Sequence, residues 1–121
     1  MEHYYQNEYV TLYNDSCLAH VDERRVSDTV ITDPPYNMDY KYGSYKDVLP
    51  IDEYYHRLST VCFCPSVTIL YPEMLFPLSW EMEEIPEKVV AWVYPSNTPK
   101  QWRGIAWWGI TPDFSKAGQP Y

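Results

Sequence analysis

The 121-residue chain has no apolar run approaching the ~20 residues of a membrane-spanning helix. Its opening, Met1-Glu2-His3-Tyr4-Tyr5-Gln6-Asn7-Glu8, lacks the basic and apolar stretches of a secretory signal. These absences predict a soluble, unexported, cytoplasmic protein with no membrane partner. Cysteine is scarce: Cys17, Cys62 and Cys64 are odd in number and lack the paired spacing of a disulfide framework or a zinc knuckle. That fits a reducing compartment, with Cys62 and Cys64 as core thiols. Adding His56 supplies three metal-type ligands but no fourth for a tetrahedral site, so no metal is expected. Basic residues are also few. Nine Lys and Arg against 17 Asp and Glu give a formal net charge of −8, which opposes nucleic-acid binding driven by phosphate neutralisation. Glycine is limited to Gly43, Gly104, Gly109 and Gly118, and no two form a Gly-x-Gly pair.

What the chain has is proline and aromatic residues, with 11 Pro, 13 Tyr and 5 Trp. Aromatic faces either stack on unpaired bases or build a core and its rim. A chain of this length forms at most one domain, residues 1–121, burying roughly two-thirds of its unfolded surface. It shows no internal repeat and no low-complexity block.

Hydrophobic spacing predicts a strand over Glu8–Tyr13 and turn and N-cap chemistry at Asn14-Asp15-Ser16. A short helix over Cys17–Arg25 and a strand over Val26–Thr32 then complete a βαβ unit with a right-handed crossover. Asn37–Pro50 has no sustained apolar period and reads as a mobile loop. Helical spacing of Ile51, Tyr55, Leu58 and Cys62 predicts a helix over Asp52–Val61, followed by a compact strand at Val67–Tyr71. Pro77 can open a helix through Glu84, since its missing N–H costs nothing in a first turn. Val89–Tyr94 and Ile105–Thr111 read as an antiparallel edge hairpin around the loop Pro95–Gly104. The tail Asp113–Tyr121 reads as loop, as if the chain continued beyond it.

The most informative segment is Asp33-Pro34-Pro35-Tyr36, directly after the apolar run Thr29-Val30-Ile31-Thr32. A proline holds the residue before it extended, so Asp33 projects from the end of a buried strand. Pro34 and Pro35 have fixed φ and no N–H, giving a stiff turn that offers carbonyl acceptors without competing donors. Asp33 and the Pro34 carbonyl can accept the two hydrogens of an exocyclic amine while Tyr36 stacks on the base that carries it.

With Asn14-Asp15-Ser16-Cys17-Leu18 before it and Asn37 after it, this segment resembles the N6-adenine and N4-cytosine DNA methyltransferase family. The arrangement is the circularly permuted one that places the catalytic motif near the N-terminus. Val90-Ala91-Trp92-Val93, Asn97 and Pro99 resemble that family's edge-strand region, and Ile110–Lys116 resembles, more weakly, its next strand. The resemblance implies a partial Rossmann-like, doubly wound α/β sheet. Its central parallel strands would be Glu8–Tyr13, Val26–Thr32 and Val67–Tyr71, with apolar surface exposed at the edge where further strands belong.

The resemblance further implies Asp33, Pro34, Pro35 and Tyr36 as catalytic residues and S-adenosylmethionine as cofactor, with Asp15 approaching its adenine. The DNA partner would present a flipped adenine. Adenine is implied over cytosine because Asp in the first motif position is commoner among the adenine enzymes. Asn37, Lys100 and Arg103 are candidate DNA contacts; Lys41 and Lys46 are weaker ones. The family's aromatic-glycine turn, which contacts the methionine part of the cofactor, is absent. A missing C-terminal half, or a protein partner, is therefore expected to complete that site.

Each signal has a plainer counterpart. Asp15 is also a good helix cap, Lys100 and Arg103 also fit a solvated loop, and Glu81, Glu83 and Glu84 fit an exposed helical face. No Ser/His/Asp or Cys/His nucleophile arrangement involves His3, His20 or His56. Two alternatives to the enzyme stay open: an inactive remnant, or an acidic protein-binding module that imitates DNA phosphates.

Overall fold

The computed structural model describes residues 3–63, 65–96 and 98–118. Two short strands, β1 (Tyr5–Gln6) and β2 (Thr11–Leu12), come first, followed by a 3-10 turn at Cys17–Glu23 and β3 (Val30–Thr32). Next come α1 (Ile51–Val61), β4 (Ser66–Leu70), α2 (Leu75–Met82), β5 (Lys88–Val93) and β6 (Trp102–Trp108). The strands form two sheets: an antiparallel β1-β2 pair and a four-stranded sheet in the order β3-β4-β6-β5.

The doubly wound, mostly parallel Rossmann-like sheet expected from the sequence is not formed. Only β3 and β4 run parallel, with Val30 opposite Ser66 and Thr32 opposite Thr68, while β6 is antiparallel to both β4 and β5. The expected first core strand, Glu8–Tyr13, lies outside this sheet for a local reason. The Asn7 side chain accepts the N–H groups of Tyr9 (2.9 Å) and Val10 (2.8 Å), and the Asn7 N–H donates to the Val10 carbonyl (2.9 Å). This Asx turn folds the segment back on Tyr5–Gln6, and Val10, Leu12 and Tyr13 stay exposed. Among the described residues none buries them as a central strand would be buried.

The first expected βαβ unit therefore fails, and the parallel crossover is β3-α1-β4 instead. The Cys17–Arg25 helix is 3-10 over Cys17–Glu23, with Ser16 as its cap through a 3.3 Å bond from the Leu18 N–H. Val26 and its neighbours are taken up by an Arg25–Asp28 turn, closed by bonds of 3.0 and 2.8 Å, so β3 keeps only three residues. The helices α1 and α2 form close to where periodicity places them. Pro77 falls in the first turn of α2 and not at its first residue, and Glu83, with φ of 53°, ends that helix. β6 begins three residues earlier than expected and stops at Gly109, whose φ is 62°. Ile110–Lys116 is not a strand; Ser115 and Ala117 donate to Asp113 and Phe114 in a turn. Asn97 and Cys64 lie outside the described residues.

Alternation along β4 and β6 sorts the sheet into two faces. Ser66, Thr68, Leu70, Ala106 and Trp108 are buried with Tyr54, Leu58, Cys62, Met74 and Leu78 of the helical layer. Val67, Ile69, Ile105 and Trp107 face the other way and are half-buried, with Phe114 edge-on to Trp107 at 6.1 Å. Among the described residues only one face carries helices, a second departure from a doubly wound sheet. At the β3 edge Ile31 is 79% exposed. Among the described residues no helix is long and apolar enough to cross a membrane.

Candidate functional site

β3 delivers Asp33 to the end of the sheet, and the Pro34-Pro35 turn carries the chain over α1. The Tyr54 hydroxyl, buried on α1, donates to the Pro35 carbonyl at 2.8 Å and pins the turn from below. Burial raises the Tyr54 pKa, so this donor stays protonated. Tyr36 then folds back, and its hydroxyl donates to Asp33 Oδ1. Burial first, and the Asp33 bond second, push the Tyr36 pKa up. The Tyr36 ring packs on Tyr71, from the end of β4, at 4.7 Å with a 55° tilt. Beside the turn, Thr32, Asp33, Pro34, Leu49, Tyr54 and Leu58 line a cleft of about 290 Å³.

Arg103 reaches this corner from β6, opposite Trp92 in the β5–β6 register. Its Nη1 lies 3.9 Å from Asp33 Oδ2. The guanidinium carbon is 5.1 Å from the Tyr36 ring centre, 5.4 Å from Tyr71, 5.7 Å from Tyr94 and 5.9 Å from Trp92. All four lie within cation–π range. Arg103 Nε is buried without a hydrogen-bond partner. Lys100 sits 4.2 Å over the outer part of the same cluster, at Tyr71, with its Nζ 3.0 Å from Glu73 Oε1. Glu73 is held below the usual carboxylate range by a backbone N–H and then by Lys100.

The structure thus brings together Asp33, Pro34, Pro35, Tyr36 and Arg103, with Lys100 at the rim. It does not add Asn37 or Asp15 to them. Asn37, at φ 58°, is spent on the following loop: its side chain donates to the Leu49 carbonyl (2.9 Å) and accepts the Leu49 N–H (2.6 Å). That loop is latched where the sequence suggested a mobile one. Asp47, 2% exposed, accepts the N–H groups of Asn37 (2.9 Å), Met38 (3.0 Å) and Tyr40 (3.2 Å). Tyr40, Tyr42 and Tyr45 pack in series beyond the latch, at 4.8 and 6.0 Å. The sequence reading missed Asp47, Tyr54, Tyr71 and Tyr94. The one available signal was an Asn and an Asp bracketing a tyrosine-rich loop.

Asp15 lines a separate cavity of about 330 Å³ with Tyr13, Cys17 and His20, and Cys17 borders both this cavity and the cleft beside Asp33. Its Oδ1 accepts the Ser16 N–H at 2.7 Å, and its Oδ2 is 3.8 Å from His20 Nε2. No glycine turn accompanies it. A Cβ at Gly104 would meet Leu70 and Val89 at 3.2 and 3.3 Å, so that glycine serves strand packing, and Gly43 lies in the tyrosine loop. The described residues thus include no glycine turn of the kind the resemblance associates with the cofactor. Among them no cluster of three His, Cys, Asp or Glu side chains is placed to hold a metal. No family model, no curated protein and no solved structure matches the chain.

Proposed function

We propose that this chain carries the target-base pocket of an S-adenosylmethionine-dependent DNA methyltransferase, a cytoplasmic enzyme acting on the N6 amine of adenine. The observation that carries the reading is the convergence of the Asp33 carboxylate, the stiff Pro34-Pro35 turn and the Tyr36 ring at the end of β3. In this reading Asp33 and the Pro34 carbonyl accept the two amine hydrogens, and Tyr36 supports the ring of a base taken out of the duplex. The amine lone pair is conjugated with the ring. Two acceptors draw the nitrogen toward a pyramidal geometry and stabilise positive charge as it develops, the preorganised electrostatics that usually dominate such catalysis. In this reading S-adenosylmethionine supplies the methyl group.

Arg103 and Lys100 give the surface beside Asp33 and Tyr36 cations, the charge placement that favours a DNA-contacting pocket over imitation of DNA. The test is the demand for N–H donors. Intrinsic fluorescence titration should show adenosine binding about tenfold more tightly than N6,N6-dimethyladenosine, which has no amine hydrogens to offer a charged acceptor. Asp33→Ala should erase that difference. Equal binding of the two nucleosides by the unaltered chain would count decisively against the pocket.

A further inference from the structure

The acceptor and one side of the stacking ring are already engaged from within the chain. One Asp33 oxygen takes the Tyr36 hydroxyl, and the other faces Arg103 Nη1 at 3.9 Å. The same guanidinium stands 5.1 Å over the Tyr36 ring while Tyr71 packs against that ring at 4.7 Å. An amine donating to Asp33 needs a carboxylate not already facing a cation, and a base stacked on the Arg103 side of the Tyr36 ring needs the space that the guanidinium fills. On the proposed target-base reading, we infer that Arg103 is a plug that closes the pocket and is withdrawn by a phosphate of the DNA strand carrying the target base.

Three observations point to a phosphate as the trigger. Arg103 rests among ring faces and bonds the Tyr71 side chain, but its Nε, a buried atom, is left without an acceptor. A phosphate satisfies a guanidinium through paired charge-assisted bonds, which rings cannot do. The exit is short: the Arg103 side chain is 24% exposed, and its box opens at the sheet edge through Trp92, which is 48% exposed. Lys100 lies over the neighbouring Tyr71 ring at 4.2 Å, so a strand drawing Arg103 out meets a second cation there. Arg103 is a positioning residue in this scheme. It does not contact the amine; it decides whether Asp33 and Tyr36 are free to do so.

The scheme makes opposite predictions for a ligand with phosphate and one without. Arg103→Met keeps the bulk within the ring box and removes the charge. It should tighten adenosine binding about five- to tenfold, because the plug no longer holds Asp33. It should weaken a short adenine-containing deoxyoligonucleotide about tenfold or more and lower its salt slope by about one. Arg103→Lys keeps the charge with a smaller ring contact. It should tighten adenosine only about two- to threefold and leave the salt slope unchanged. Circular dichroism confirms that each variant is folded. Shifts of both ligands in the same direction, or an adenosine affinity unmoved by either substitution, would overturn the plug. If Asp33→Ala also leaves adenosine binding unchanged, it is the target-base pocket that fails, so the two failures are distinguishable.

Discussion

The Tyr36 hydroxyl donates to the Asp33 carboxylate across the Pro34-Pro35 turn, tying together the two side chains proposed to hold the target base. An incoming amine must compete for that carboxylate. Tyr36→Phe keeps the ring and removes the competing donor, so adenosine should bind at least as tightly as to the parent chain. Tyr36→Ala removes the stacking surface and should weaken binding by about 1–3 kcal/mol, the usual worth of a base stack. Fluorescence titration of both variants separates the two roles, and equal losses in both would deny the ring a stacking function.

Asp47 is the latch of the loop that follows. Its carboxylate is 2% exposed and accepts three backbone N–H groups from the turn after Tyr36. Asp47→Ala strands those donors and should destabilise the chain by about 2–4 kcal/mol, more than a surface substitution costs. Urea unfolding measures the loss. Amide exchange at Met38 and Tyr40 should rise even in conditions where α1 remains protected.

Much of the helical half was legible because Leu58 and Cys62 recur at helical spacing and are buried, although Ile51, read onto the same face, is 63% exposed and the buried ring is Tyr54 in place of the expected Tyr55. Asp33, Tyr36 and Arg103 could be named from side-chain chemistry and motif alone. Strand partners could not. Val10 and Leu12 look like core-strand residues, but a single side chain, Asn7, closes a local hairpin and leaves both exposed. The placement of β6 between β4 and β5 depends on long-range register, Ile105 opposite both Ile69 and Val90, which no local pattern encodes. The ring box around Arg103 depends on the same register, since Trp92 meets Arg103 only through the β5–β6 ladder.

Alkaline pH should weaken the fold, and the direction follows from the buried phenols. Burial raises the pKa of both Tyr36 and Tyr54 above the ordinary tyrosine value of about 10. Their stabilising contribution is complete below about pH 10 and is lost as pH climbs from there toward the folded-state values, because the unfolded chain releases its protons first. The Cys62 thiol, pushed up by burial to about 11, acts with the same sign from about pH 9. Urea midpoints should fall progressively above about pH 9–10, and Tyr54→Phe should flatten the fall. A midpoint that rises with alkalinity would contradict the burial of these groups.

Arg24 joins the first part of the chain to the helical layer. Its Nη1 and Nη2 donate to the Val61 and Thr60 carbonyls at 2.7 and 2.6 Å, and its Nε donates to the Val21 carbonyl at 3.1 Å. The last carbonyls of α1 have no intrahelical partner, and a cation there also suits the helix dipole. The guanidinium therefore caps α1 and fixes the 3-10 turn at Cys17–Glu23 against it. Arg24→Met keeps most of the stem packing and removes three donors, and should cost about 1–3 kcal/mol. Because Cys17, on that turn, borders the cleft beside Asp33, loosening the turn should also be felt at the site. The Cys17 thiol should react several-fold faster with a thiol reagent in the variant, while Cys62, sealed under the sheet, stays unreactive. Unchanged Cys17 kinetics alongside a clear loss of stability would show that Arg24 serves α1 alone and does not hold the cleft wall.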